Sequence, residues 1–177
     1  TGAKGSIEHA QLTRPEQLNR LATLALTASV QPAHLLDDLA VIDELWPQQS
    51  EHSFTFASML HHGIDVRFGS DAPVSELNPW LAMAAAVHRH HLGATPWHPE
   101  ERLSGAQAFF ASTGGVRRLL PGGVADLALL ETNPFLDDAE SAVVSESAVL
   151  ADQLLQTRVA ATWVAGRLVH SDGACLT

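Results

Sequence analysis

Positive charge is scarce in this chain: 10 Lys and Arg stand against 20 Asp and Glu, a formal net charge of −10. No run of basic residues breaks the pattern, which argues against a nucleic-acid partner, since that wants clustered Lys and Arg. The acidic balance serves solubility. Cysteine is nearly absent. The single Cys175 cannot form an internal disulfide, so a reducing, cytoplasmic compartment is expected. No activating motif surrounds it, and it reads as a bystander rather than a reactive thiol. Tyrosine is missing, beside 4 Trp and 10 His. No apolar stretch approaches the ~20 residues of a membrane span, which argues against a membrane partner. No signal-peptide pattern opens the chain, where Thr1 to Ser6 is small and polar. An initiating Met is also missing, so the chain is expected to be part of a longer product.

What is present suffices for a folded core. Of 177 residues, 46% are hydrophobic and 17% charged, which fits one domain or one and a fraction. The first part alternates strand and helix. Ser6–Ala10 reads as a short buried strand, and Pro15-Glu16 opens a helix with Leu18, Leu21 and Leu24 on one stripe. Thr27–Val30 is a strand stopped by Gln31-Pro32. Leu35 to Leu45 is a second amphipathic stretch closed by Trp46-Pro47, and Phe54 to Leu60 a third, capped near Gly63. Ile64–Gly69 alternates as a half-covered or edge strand. Asn78-Pro79 is a helix start, with the helix running to about His91. Pro99-Glu100-Glu101 starts another, with Leu103, Ala106, Phe109 and Phe110 on its apolar face and Gly114-Gly115 as its end. Beyond Pro121-Gly122-Gly123 the character is mainly β: a strand over Val124–Leu130, an acidic loop over Thr132–Val144, and a hairpin turning at Ala165-Gly166. These changes divide the chain into residues 1–120 and 121–177.

Two segments carry chemistry. Ile7-Glu8-His9-Ala10-Gln11 and Phe68-Gly69-Ser70-Asp71-Ala72-Pro73-Val74 are each a short strand that delivers one metal-binding or proton-transferring side chain and then breaks into a loop. A His and an Asp at two strand ends can hold a metal ion and the water it activates. A catalytic zinc normally has three protein ligands, and these motifs supply two. Alone, His9 also fits a satisfied rim histidine, and Asp71 a turn cap before Ala72-Pro73. His34, in the loop beyond Val30, would share their side of a barrel-like fold and is a candidate substrate contact. His88 and His91 share a helical face but have no third donor, so they read as a solvated face. His61-His62 would complement a helix end. Trp80 and Trp97 read as core.

The ordered set of motifs resembles the C-terminal half of the amidohydrolase superfamily, above all the formamide-deformylase-like branch called amidohydrolase family 3. Ile7-Glu8-His9-Ala10-Gln11 is similar to its sixth barrel strand. Ser29-Val30-Gln31-Pro32 with His34 is similar to the seventh strand and following loop, and Gly69-Ser70-Asp71-Ala72-Pro73 to the eighth. Gly122 to Leu130 resembles the strand returning to a small β-sandwich, and Thr162 to Val169 its closing hairpin. The family's first-strand His-x-His and the ligands of its fourth and fifth strands have no counterpart here.

The resemblance implies an α/β fold: the last three strands of a (β/α)8 barrel with outer helices, followed by strands of a small sandwich. It implies a metal-dependent hydrolase of carbon–nitrogen, non-peptide amide-type bonds, present as a C-terminal piece. The metal would be divalent, zinc above others, with one or two ions in the complete enzyme. His9 would be a ligand. Asp71 would be both ligand and the catalytic acceptor of the attacking water's proton. The partner would be a small amide-type substrate. Three strands cannot close an eight-stranded barrel and leave open edges. A homo-oligomer or a missing N-terminal portion is therefore expected, with the isolated chain inactive and binding Zn²⁺ weakly. The alternative is a non-catalytic piece or subunit that completes a site with another chain.

Overall fold

The computed structural model describes residues 4–115, 119–135 and 144–173. β1 (Ser6–Glu8), β2 (Thr27–Val30) and β3 (Asp65–Phe68) form a parallel sheet in chain order. α1 (Pro15–Thr23) joins the first two strands. α2 (His34–Leu45), a 3-10 turn at Pro47–His52 and α3 (Phe56–His61) join the second two. Ser6 pairs with Thr27, and Thr27 in turn with Asp65, so the three strands end on the same side. α4 (Pro79–His88) and α5 (Gly105–Ser112) follow. A second, antiparallel sheet holds β4 (Leu127–Leu130), β5 (Val159–Val164) and β6 (Arg167–Ser171), with α6 (Val144–Leu155) between its first two strands. The molecule is a mixed α/β protein with one parallel and one antiparallel sheet.

Local chemistry explains most of the boundaries. Asn78 Oδ1 accepts from the N–H groups of Trp80 (3.0 Å) and Leu81 (3.3 Å), satisfying two orphan donors at the start of α4. Pro47 halts α2 at Trp46. The core is aliphatic and aromatic: Leu35, Ile42, Phe56, Met59, Val66 and Leu154 are all buried. Trp80 and Trp97 pack against it half-buried, as their spacing predicts.

Arg89 terminates α4 in left-handed backbone and is fully buried. Its Nε donates to the Trp97 carbonyl (2.8 Å) and its Nη1 to that of Phe54 (2.9 Å). Its guanidinium lies over the rings of Phe56 and Trp97, 5.5 Å from each centroid. Burial lowers its pKa to about 10, against the charges of Glu101 and Glu100, which raise it. It therefore remains protonated at neutral pH.

Several expectations are corrected. β1 is exposed rather than buried, because it pairs on one side only and no described element covers it. Pro99–Glu101 makes a single 3-10 turn, and the helix begins at Gly105. Ser104 is its true start: its Oγ accepts from the Gln107 N–H (3.2 Å) and its own N–H donates to Gln107 Oε1 (2.8 Å). The buried face is Gly105, Ala108 and Ala111, while Ala106 and Phe109 face out. α4 ends at His88 rather than near His91. The region read as mainly β contains α6, which packs on α4. There His88 Nδ1 lies 3.1 Å from Ser147 Oγ. Cys175 and most of the acidic 132–144 stretch lie outside the described residues.

Candidate metal centre

Three strand ends deliver three side chains to one place. At the end of β1 the His9 N–H donates to the Ser29 carbonyl (2.8 Å), extending the parallel pairing by one residue. His9 and Ala10 then take positive φ, 65° and 45°, and swing the chain out of the sheet. At the end of β2, Gln31-Pro32 breaks the strand. The His34 N–H donates to the Gln31 carbonyl (3.1 Å), and His34 becomes the first residue of α2. At the end of β3 the Gly69 N–H pairs with the Val30 carbonyl (2.9 Å), and two residues on Asp71 adopts φ 54°. A short polar side chain tolerates that conformation better than most.

His9 Nε2 lies 3.7 Å from Asp71 Oδ2, and His34 Nε2 lies 4.0 Å from the same oxygen. The two imidazoles stack, with centroids 5.7 Å apart and planes 29° from parallel. One ligand atom from each of the three residues lies within 4.8 Å of the others. The side chains of His9 and Asp71 are 46% and 40% exposed and that of His34 11%, so the cluster opens to solvent on one side. His34 Nε2 is buried with no hydrogen-bond partner. Two imidazole nitrogens and a carboxylate oxygen are donors that suit a zinc-like divalent ion. A tetrahedral ion with bonds near ~2.1 Å wants donors about 3.4 Å apart. The two separations at Asp71 therefore need only small closures, and the residues present fit the group.

Neighbouring groups complete the setting. Glu8 is exposed, and hydrogen bonds from Ser29 and Ser6 hold its carboxyl below the usual range. Gln31 is buried at the floor, and its Nε2 donates at 3.3 Å to the Ser29 carbonyl that also receives His9. Sequence reasoning passed over Gln31, whose only signal was a polar residue wedged between Val30 and Pro32.

Of the residues singled out from sequence, the structure brings together His9, Asp71 and His34. It does not make a pair of His88 and His91. His88 is buried between α4 and α6, whereas His91 is exposed beyond the helix end. His62 Nδ1 lies 2.7 Å from the Ser58 carbonyl at the end of α3, which fits a role in closing that helix. Among the described residues no helix is long and apolar enough to cross a membrane.

The family model described as the amidohydrolase family matches residues 1–170. The chain belongs to the amidohydrolase family. Protein LONG AFTER FAR-RED 3 of Arabidopsis thaliana is 35% identical to this amidohydrolase-family chain over 181 residues, covering 93% of the chain and 28% of the relative. YtcJ of Bacillus subtilis (strain 168) is 26% identical over 151 residues, or 77% of the chain and 28% of the relative. The crystal structure of an uncharacterized metal-dependent hydrolase from Pyrococcus horikoshii OT3 superposes with a TM-score of 0.56 at 27% identity, covering 62% of the chain and 23% of that structure. The amidohydrolase segment thus spans less than a third of the length of the curated relatives it matches.

Proposed function

We propose that this chain is the part of a metal-dependent hydrolase that carries the metal-held, proton-accepting side of its active site. The reaction would be hydrolysis of a non-peptide carbon–nitrogen bond in a small amide-type substrate, with formamides of the deformylase branch as the first class to test. The observation that carries this reading is the convergence of His9, His34 and Asp71 at the ends of three adjacent parallel strands. Catalytic groups of β/α barrels cluster at that face.

The architecture under this reading is the last three strands of a (β/α)8 barrel over residues 1–120. Residues 121–177 supply strands of a small accompanying sandwich. β1 and β3 each have one unpaired edge among the described residues, which favours a covering chain: an N-terminal portion of the same protein or a second copy. The same edges favour the second reading, a non-catalytic subunit whose site is completed by another chain.

His9 and Asp71 would hold the ion, zinc in the first instance, with one or two ions in the complete enzyme. Bound there, a divalent ion lowers the pKa of a water toward ~7 and polarises a carbonyl oxygen. The remaining work belongs to the protein. Asp71, whose side chain is partly exposed on the open side of the cluster, would take a proton from the attacking water and return it to the leaving nitrogen. His9, fixed by its backbone bond to Ser29, would contribute an imidazole nitrogen to the ion and take no part in proton transfer. Gln31 braces the carbonyl that positions it.

The test is a panel of N-substituted formamides, ureas, cyclic amides and esters offered to the complete enzyme after chelation and after Zn²⁺ return. Metal-restored release of amine from one of the amide classes is expected. Turnover unaffected by chelation, or confined to esters, would overturn the proposal.

A further inference from the structure

We propose that His34 is a third metal ligand rather than a substrate contact, and that this chain by itself therefore holds a divalent cation. The inference rests on the metal reading of the cluster and adds a donor that a count of two strand-end residues omits.

The burial of His34 separates the two roles. A substrate contact must present its polar atom to a molecule arriving from solvent. His34 is only 9% exposed, and its Nε2 has neither a hydrogen-bond partner nor accessible surface. No substrate atom can reach it without moving the imidazole. A bare cation needs no such access, because its small radius lets it sit between donors that a water cannot separate. His34 Nε2 stands 4.0 Å from Asp71 Oδ2, a small closure from the ~3.4 Å between donors that tetrahedral bonds of ~2.1 Å require. The atom is thus aimed at the one carboxylate oxygen that His9 also faces.

A buried imidazole nitrogen without a partner is otherwise a cost that native structures avoid. Here an ion would supply the partner. Three protein donors and an open side make the set of a catalytic zinc site, in which the fourth position is left to water or substrate. The stacked arrangement of the His9 and His34 rings keeps both Nε2 atoms on the side of Asp71. His34 is also the first residue of α2, whose backbone restrains it independently of any ligand.

The experiment titrates the 177-residue chain, stripped with chelator and dialysed, with Zn²⁺ alone by calorimetry. One equivalent is expected to bind, in the micromolar range or tighter. His34→Gln should weaken it by more than the roughly 10–100-fold that the loss of even an outer partner costs, as should His9→Gln. His91→Gln, on the exposed loop, should bind as the parent does. Circular dichroism checks that each variant is folded. If His34→Gln does not fold, the ¹⁵N resonance of His34 Nε2 in the unaltered chain replaces it, with a Zn²⁺-induced shift expected. Unchanged binding in His34→Gln beside weakened binding in His9→Gln and Asp71→Asn, or an unshifted His34 resonance, would overturn the inference and leave a two-ligand site standing. No Zn²⁺ bound by the unaltered chain, or binding indifferent to all three residues, would overturn the inference and the metal reading together.

Discussion

His9 Nε2 and Asp71 Oδ2 face each other across 3.7 Å, and both residues hold left-handed backbone, with φ of 65° and 54°. Each sits just past the end of a parallel strand, where the chain must leave the sheet. The left-handed turn makes that exit abrupt and keeps the side chain near the strand end instead of carrying it away along a helix. Such backbone costs on the order of 1–3 kcal/mol per residue, a cost that recurs at functional sites.

Asp71→Asn isolates the chemical role. Asn accepts left-handed backbone as readily as Asp, and its shape is nearly the same. Folding should therefore be preserved within about 0.5 kcal/mol. The substitution removes the proton acceptor and weakens the metal bond, so the complete enzyme should lose turnover by about 100-fold or more. Steady-state kinetics with a metal assay, run beside a thermal melt, separates the two effects. Near-normal turnover at full metal occupancy would remove Asp71 from the mechanism.

The strand–helix rhythm was legible because its punctuation is chemical. Pro15, Pro32, Pro47 and Asn78-Pro79 mark breaks or starts that the structure keeps, and β2 and β3 fall where their β-branched and alternating residues predict. His9 and Asp71 were readable because a strand leading into a loop places its last polar residue at the sheet's end. His34 was harder to read, since a helix-start histidine has the same local sequence whether or not its nitrogen is left without a partner. α5 was misplaced because Pro99 with two acids imitates a helix start, while the reciprocal Ser104–Gln107 cap was passed over. α6 was missed although Ser147, Ala151 and Leu154 share a helical face, because an acidic stretch before them suggested only loop. Arg89 could not be foreseen: it is a good helix former, yet its helix ends there and its guanidinium donates to three carbonyls.

Arg89→Met tests that capture. Met keeps much of the stem and can still pack on Phe56 and Trp97. It removes the donor from the carbonyls of Trp97 and Glu101, while that of Phe54 keeps the Phe56 N–H. Orphaned buried acceptors cost about 1–3 kcal/mol each before relaxation, so a loss of about 3 kcal/mol or more is expected in urea unfolding. Arg89→Lys should recover little, because one ammonium cannot reproduce the fork.

His88 makes stability depend on pH. Burial is the main cause that lowers its pKa from the usual 6.5, with the charges of His90 and Arg102 in the same sense and the backbone of Ala94 and His91 opposing. The unfolded chain therefore takes up the proton at higher pH than the fold does. The stability that depends on neutral His88 is complete above pH ~6.5 and is lost as pH falls below it. Unfolding midpoints measured from pH 7.5 down to 5 should fall, and His88→Gln should flatten that slope while keeping a polar group opposite Ser147. An identical slope in the variant would place the titration elsewhere.

Gly115 and Gly63 form a matched pair that separates conformation from collision. Both adopt positive φ, 84° and 73°. A Cβ on Gly63 would meet open space, whereas one on Gly115 would strike the Arg67 guanidinium. Arg67 is held there by Asp65, with 2.8 Å between Nη2 and Oδ1, and by the face of Phe110, 5.6 Å from the ring centroid. Gly63→Ala should therefore cost only the backbone term, about 1 kcal/mol. Gly115→Ala should cost that plus the displacement of Arg67, for a total of about 2 kcal/mol. Arg67→Ala in the Gly115→Ala background should remove the extra portion, because the obstacle is gone. Chemical denaturation of the parent, Gly115→Ala, Arg67→Ala and the double variant, read as a double-mutant cycle, measures the coupling. Equal losses in the two glycine variants would show that Arg67 yields without cost and that φ alone fixes glycine at position 115.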